Sequence, residues 1–258
     1  MRIINVVFVC VFALVSCGGE SEEISAIENN LKNKYGIYIG VLDSDVQLPK
    51  SVLAKAERGE TTVHLSSLDD AEYYEYLEVI SSALSKYPEK VIFNNIDRIY
   101  VGGPYKEGSA VIAGMYERKS LYLFYRQVDW ENKDLFLEQT LHHELSSVLI
   151  REYGMDAFAW IGMNPDGFSY IINPREIDEY MSASGSYDAD EGLLEQGLVS
   201  SYGKTNAEND INTYAELVFT EPQKMMLLVE KYPVVARKYR FLKRFYLSIS
   251  PDFKSIFP

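Results

Sequence analysis

Apolar residues recur at helical spacing near both ends of the chain, and crowd into short β-branched and aromatic runs between them. Ile24, Ile27, Leu31 and Tyr35 fall on one face of a first helix that Gly36 would stop, and Ile37 to Leu42 then reads as a strand. Residues 43–50, with Pro49, read as a loop, and Val52 to Leu65 shows no clear period apart from the alternation around His64, which reads as an ordinary strand or loop histidine. Ser67 and Asp69-Asp70 precede Tyr73, Tyr74, Leu77, Ile80, Leu84 and Tyr87, the stripe of an amphipathic helix that runs up to Pro88. The runs Val91 to Phe93, Ile96 to Val101, Ser109 to Tyr116 and Ser120 to Tyr125 predict a mixed, partly antiparallel sheet, with Gly102-Gly103-Pro104 and Glu117-Arg118-Lys119 as turns. A long helix follows from Asn132 or Lys133 to Gly154, with Leu137, Leu141, Leu145, Val148 and Leu149 as its buried stripe.

Beyond it the pattern lapses. Residues 155–199 are rich in Gly, Ser and Asp around the aromatics Phe158, Trp160, Phe168 and Tyr170, either the wall of a cleft or a surface excursion. Three helices close the chain: Asn206 to Phe219 with Asn206 as N-cap, one opened by Glu221-Pro222, and one opened by Pro233. The last carries Arg237, Lys238, Arg240, Lys243 and Arg244, expected as a solvated basic face. The fold class is therefore α+β, a mixed sheet with a following helix and a C-terminal helical part.

With 258 residues, 47% hydrophobic and 24% charged, the chain can bury one sizeable core. Its formal net charge of -13 repels phosphate backbones and argues against a nucleic-acid partner. Met1-Arg2, the apolar run Ile3 to Val15 and Ser16-Cys17 read as a signal peptide of the lipoprotein type, residues 1–17, with Cys17 as the lipidated residue. The acidic stretch 18–24 would then be a flexible tether, and 25–258 the folded domain. Cys10 would leave with the signal, so no disulfide is expected.

Candidate chemistry concentrates in Leu141-His142-His143-Glu144-Leu145-Ser146-Ser147, which sets two of the three histidines beside a carboxylate on the long helix. A hydrolytic zinc ion wants three nitrogen or carboxylate ligands and an open position for water, and two histidines four residues apart supply two of them from one helix face. His143 and Glu144 fill the first two positions of such a frame, but Ser147 stands where the second histidine belongs, and Ser146 does so for His142.

This arrangement resembles the gluzincin metallopeptidases, zincin-like enzymes. It is most similar to the peptidase domain of anthrax lethal factor and its relatives and to zinc-binding metallopeptidase lipoproteins of Bacteroidetes. The likeness covers about residues 90–220 and rests on His143-Glu144, on Ser201-Tyr202-Gly203-Lys204-Thr205-Asn206 and on Tyr214-Ala215-Glu216. It implies that Glu144 activates a zinc-bound water and that Tyr202 stabilises the oxyanion. The third ligand of the family falls four residues before Glu216, on Asn212 here, with Asp210 or Glu208 as substitutes. The metal set implied for this chain is therefore His143, Asp210 and Glu216, with zinc as cofactor. Two functions stay open: metal-dependent peptide hydrolysis through an HExxS motif, or an inactive relative whose cleft, with Phe158, Trp160 and Phe168, captures peptide or glycan. Both imply a lipid-anchored protein of the outer membrane, on its surface or periplasmic face, and the second implies outer-membrane uptake components as partners.

Overall fold

The computed structural model describes residues 17–44, 47–125, 132–171, 173, 176, 177, 180 and 187–257. The expected signal segment before Cys17 lies outside them. Helix α1 (Cys17–Tyr35) leads into strand β1 (Tyr38–Val41), then come α2 (Lys50–Glu57), β2 (Val63–Leu65), α3 (Asp70–Leu84) and α4 (Glu89–Asn95). Five strands follow: β3 (Arg98–Gly102), β4 (Tyr105–Glu107), β5 (Ala110–Ile112), β6 (Gly114–Glu117) and β7 (Ser120–Phe124). The long helix α5 (Lys133–Tyr153) and the short helices α6 (Ala157–Ile161) and α7 (Glu191–Glu195) precede a 3-10 turn at Tyr202–Lys204. The C-terminal helices are α8 (Ala207–Thr220), α9 (Pro222–Lys231) and α10 (Pro233–Ile249).

Four strands form the main sheet in the order β1-β3-β7-β6, with β1, β3 and β7 parallel and β6 antiparallel at the edge. The central strand β7 is buried on both faces, and its alternation sorts two cores: Leu121 and Leu123 meet the helices, whereas Tyr122 and Phe124 meet Leu42, Val52 and Tyr105. A small antiparallel sheet, β2-β4-β5, stands beside the second core. On the helical side α1, α3 and α5 pack in succession, and α5 is held most extensively by α8, through Leu141, Leu145 and Leu149 from one and Ile211, Tyr214 and Ala215 from the other.

Local signals explain most boundaries. Asp69 and Glu72 form a reciprocal capping box at α3, each side chain accepting the other's backbone N–H, at 2.8 and 3.2 Å. Asn206 caps α8 by accepting from Asn209 N at 2.8 Å, and Gly154 ends α5 in the left-handed conformation, φ 67°.

Four expectations change. The tether residues 18–23 continue α1, and since Ser21, Glu22 and Glu23 are exposed this extension is a solvated helix that needs no core. Val91 to Phe93 is helical, not a strand: Pro88 opens α4, Asn95 Nδ2 ties back to Val91 O at 2.8 Å, and Phe93 faces solvent. The run Ser109 to Tyr116 divides between two sheets, β5 and β6, and so brings a second chain segment over the main sheet's edge.

Lys238, expected on a solvated basic face, is fully buried. Its Nζ donates to Asp210 Oδ2 at 2.6 Å and to Gly197 O at 3.0 Å, and the same Oδ2 accepts from Trp160 Nε1 at 2.8 Å and Tyr170 OH at 2.6 Å. Burial pushes the Asp210 carboxyl up and the Lys238 ammonium down, while each holds the other's charge in place. This polar knot fastens α10 to α8 behind the candidate site.

Candidate active site

Consecutive residues on a helix point about 100° apart, so His142, His143 and Glu144 of α5 leave it in three directions. His142 points into the core. It is fully buried, with Nδ1 on Tyr87 OH at 2.9 Å, Nε2 on Glu138 Oε1 at 3.3 Å and its ring stacked on Phe219 with centroids 4.8 Å apart. Burial lowers its pKa despite Glu138, whose carboxylate is shared with Lys86 at 2.6 Å. His142 is thus a satisfied core histidine.

His143 lines a cleft. Its Nδ1 stands 2.5 Å from Glu216 Oε1, and because a carboxylate only accepts, the ring proton resides on Nδ1. The other oxygen of Glu216 accepts from Tyr187 OH at 2.6 Å. Burial alone would lower the His143 pKa, but the hydrogen bond and charge of Glu216, with Glu144 nearby, raise it to about 8.

Glu144 faces the same cleft with 8% of its surface exposed, and no donor among the described residues reaches its carboxylate. Burial, opposed by His143 but reinforced by Glu208 and Glu216, raises its pKa to about 7. The edge strand passes directly over it at Gly114, where an added Cβ would stand 2.9 Å from Glu144 Oε1 and 2.8 Å from Thr140 Cγ2. A residue without a side chain is what allows β6 to lie this close to α5. Tyr202, at the turn before α8, brings its ring to 5.7 Å from the His143 ring and 6.3 Å from that of Tyr187. Burial and the charges of Glu144 and Glu216 push its hydroxyl up to about 12.

The resulting cleft, about 770 Å³, runs under residues 109–114 and is walled by Phe136, Tyr187 and Tyr202. It therefore unites four residues singled out in the sequence: His143, Glu144, Tyr202 and Glu216. Glu208 is exposed at its margin, accepting from Tyr116 OH at 3.0 Å. Asp210, the third expected metal ligand, is not brought there, because its carboxylate is committed to Lys238, Trp160 and Tyr170. Nor do the expected aromatics line it: Phe158 is 89% exposed to solvent, Trp160 is buried edge-on against Tyr214, and Phe168 packs on Tyr170. Tyr187 and Gly114 were not foreseen, since Tyr187 comes from a stretch without periodicity and Gly114 gains its role only from the approach of β6 to α5.

The two positions where the resemblance expects ligands do meet in space. Asn212 Nδ2 donates to Ser147 Oγ at 2.7 Å, with both residues buried. Both side chains are neutral, and beyond this one bond the amide oxygen of Asn212 is buried without a partner among the described residues. Zinc requires imidazole, thiolate or carboxylate donors, and these two residues supply none. Among the described residues, no group of three His, Cys, Asp or Glu is placed to hold a metal ion. The donor set does not fit a hydrolytic zinc site.

No protein-family model matches the chain, and no curated protein matches it. Among solved structures, the fold is similar to a crystal structure described as a "putative zinc-binding metallo-peptidase" from Bacteroides caccae. The two share 15% identity and a TM-score of 0.50, over 91% of this chain and 88% of that one. At this identity the likeness is one of fold, and the α+β, metallopeptidase-like architecture expected from the sequence is the one observed.

Proposed function

We propose that this chain uses a metallopeptidase-like fold to hold an extended peptide in the cleft over His143 and Glu144, without zinc-dependent hydrolysis. The observation that carries the reading is the Ser147–Asn212 hydrogen bond, which puts an uncharged pair at two of the three expected ligand positions. His143, turned by Nδ1 toward Glu216, is the one imidazole left in the cleft. The peptide part of the proposal is supported by the edge strand. Among the described residues β6 pairs only with β7, so its other side offers backbone N–H and C=O groups to an added strand beside the cleft. Such pairing suits a peptide better than a glycan, which has no regular backbone amide ladder to offer.

The competing reading is peptide hydrolysis with a non-standard ligand set. Incubation of the protein with unstructured, fluorogenic peptides, with and without added zinc, separates the two. The proposal expects peptide binding by anisotropy and no zinc-stimulated cleavage, whereas cleavage that needs zinc and is lost in Glu144→Gln would establish hydrolysis. The proposal further places the domain at the outer membrane, anchored by lipid on Cys17 and passing peptide to uptake components. The short apolar run before Ser16-Cys17 supports the anchor. Cys17→Ala is expected to leave the membrane fraction, and unchanged fractionation would remove the anchor from the account.

A further inference from the structure

The charges in the cleft do not balance. His143 and Glu216 compensate each other, with Nδ1 on Oε1 at 2.5 Å, and Tyr187 occupies the second carboxylate oxygen. Glu144 has no such partner. More than nine-tenths of it is withdrawn from solvent, it lines the cleft, and no hydrogen-bond donor among the described residues reaches it. Its other charged neighbours, Glu208 and Glu216, deepen the negative potential. A largely enclosed carboxylate with no protein donor leaves its acceptor oxygens to whatever occupies the cleft.

We infer that the cleft recognises its peptide by a basic side chain, a lysine ammonium or an arginine guanidinium, which docks on Glu144 between the aromatic walls. Three features fit this occupant. A peptide paired to β6 points alternate side chains toward the sheet face that carries α5, so a long one reaches Glu144 from the edge strand. The rings of Tyr187 and Tyr202 line the path and favour a cation over an anion or a neutral group. The alkyl stem of lysine or arginine covers the apolar lining of residues 110–113 while its head reaches the carboxylate.

This inference rests on the peptide reading above, and its test separates the two. Fluorescence anisotropy at physiological salt would compare three short, end-blocked peptides identical except at the central position, which is lysine, norleucine or glutamate. Salt at this level screens unspecific attraction to a chain of net charge -13. A charge-assisted hydrogen bond predicts that the lysine peptide binds about tenfold or more tighter than the norleucine peptide, with the glutamate peptide weakest. Glu144→Gln should erase the lysine preference, and a native-like thermal unfolding transition shows that the variant is folded. Equal binding of lysine and norleucine peptides, or a lysine preference that survives Glu144→Gln, would overturn the inference and leave the peptide reading standing. Binding of none of the three would remove the peptide reading and this inference with it.

Discussion

Replacing Glu216 by Gln isolates the interaction that sets the state of His143. In the native protein burial lowers the His143 pKa, and Glu216, 2.5 Å away, reverses this and lifts it from 6.5 to about 8. At about 1.36 kcal/mol per pH unit, that displacement favours the charged imidazole by about 2 kcal/mol. Because the folded pKa lies above the unfolded one, this stabilisation is fully present below pH 6.5 and is lost as the pH rises through 8. Glutamine keeps the shape but not the charge, so burial then prevails and His143 should titrate below 6.5. Imidazole NMR resolves this directly, since the chain has only three histidines and His142 provides an internal buried reference. Urea denaturation should show the gap between native protein and Glu216→Gln shrinking by about 2 kcal/mol between pH 6 and pH 9. The reasoning fails if native His143 titrates at or below 6.5, or if Glu216→Gln leaves its titration unchanged.

Two further substitutions test the packing that holds this site in place. Leu145 is fully buried between α5 and its neighbours, so Leu145→Asp should bury an unpaired charge and prevent folding, read as loss of the cooperative thermal transition; a native-like melting curve would contradict the assigned helix face. Lys238→Met strands the Asp210 carboxylate and should cost about 3–5 kcal/mol in chemical denaturation, while the double variant Asp210→Asn/Lys238→Met should recover much of it; equal losses for single and double variants would show that the ion pair is not the source.

The sequence makes some of this legible and hides the rest for physical reasons. Helical periodicity locates α3 and α5, and local signals mark their ends and the start of α8: Asp69 caps α3, Gly154 stops α5 and Asn206 caps α8. The same local reading misassigns Val91 to Phe93, where β-branched and aromatic residues follow a proline that starts a helix turn. His143, Glu144, Tyr202 and Glu216 are found from short motifs because α5 presents the first pair, and the turn before α8 and the interior of α8 present the second. Asp210 is equally acidic and only six residues from Glu216, yet it lies on a different face of α8, and nothing local reveals Lys238 arriving from α10 to claim it. Tyr187 is the converse case, a residue whose role comes wholly from where a non-periodic segment returns to the cleft.

The central claim is that neutral side chains stand at two expected ligand positions of a metallopeptidase-like cleft and leave it without a zinc site, and calorimetric titration with zinc tests it most directly. The native protein should show no stoichiometric binding at micromolar concentration, whereas the double variant Ser147→His/Asn212→Glu, which restores an imidazole and a carboxylate at the positions now joined by a 2.7 Å hydrogen bond, should bind one zinc ion. Tight one-to-one binding by the native protein that is lost in His143→Ala would contradict the account.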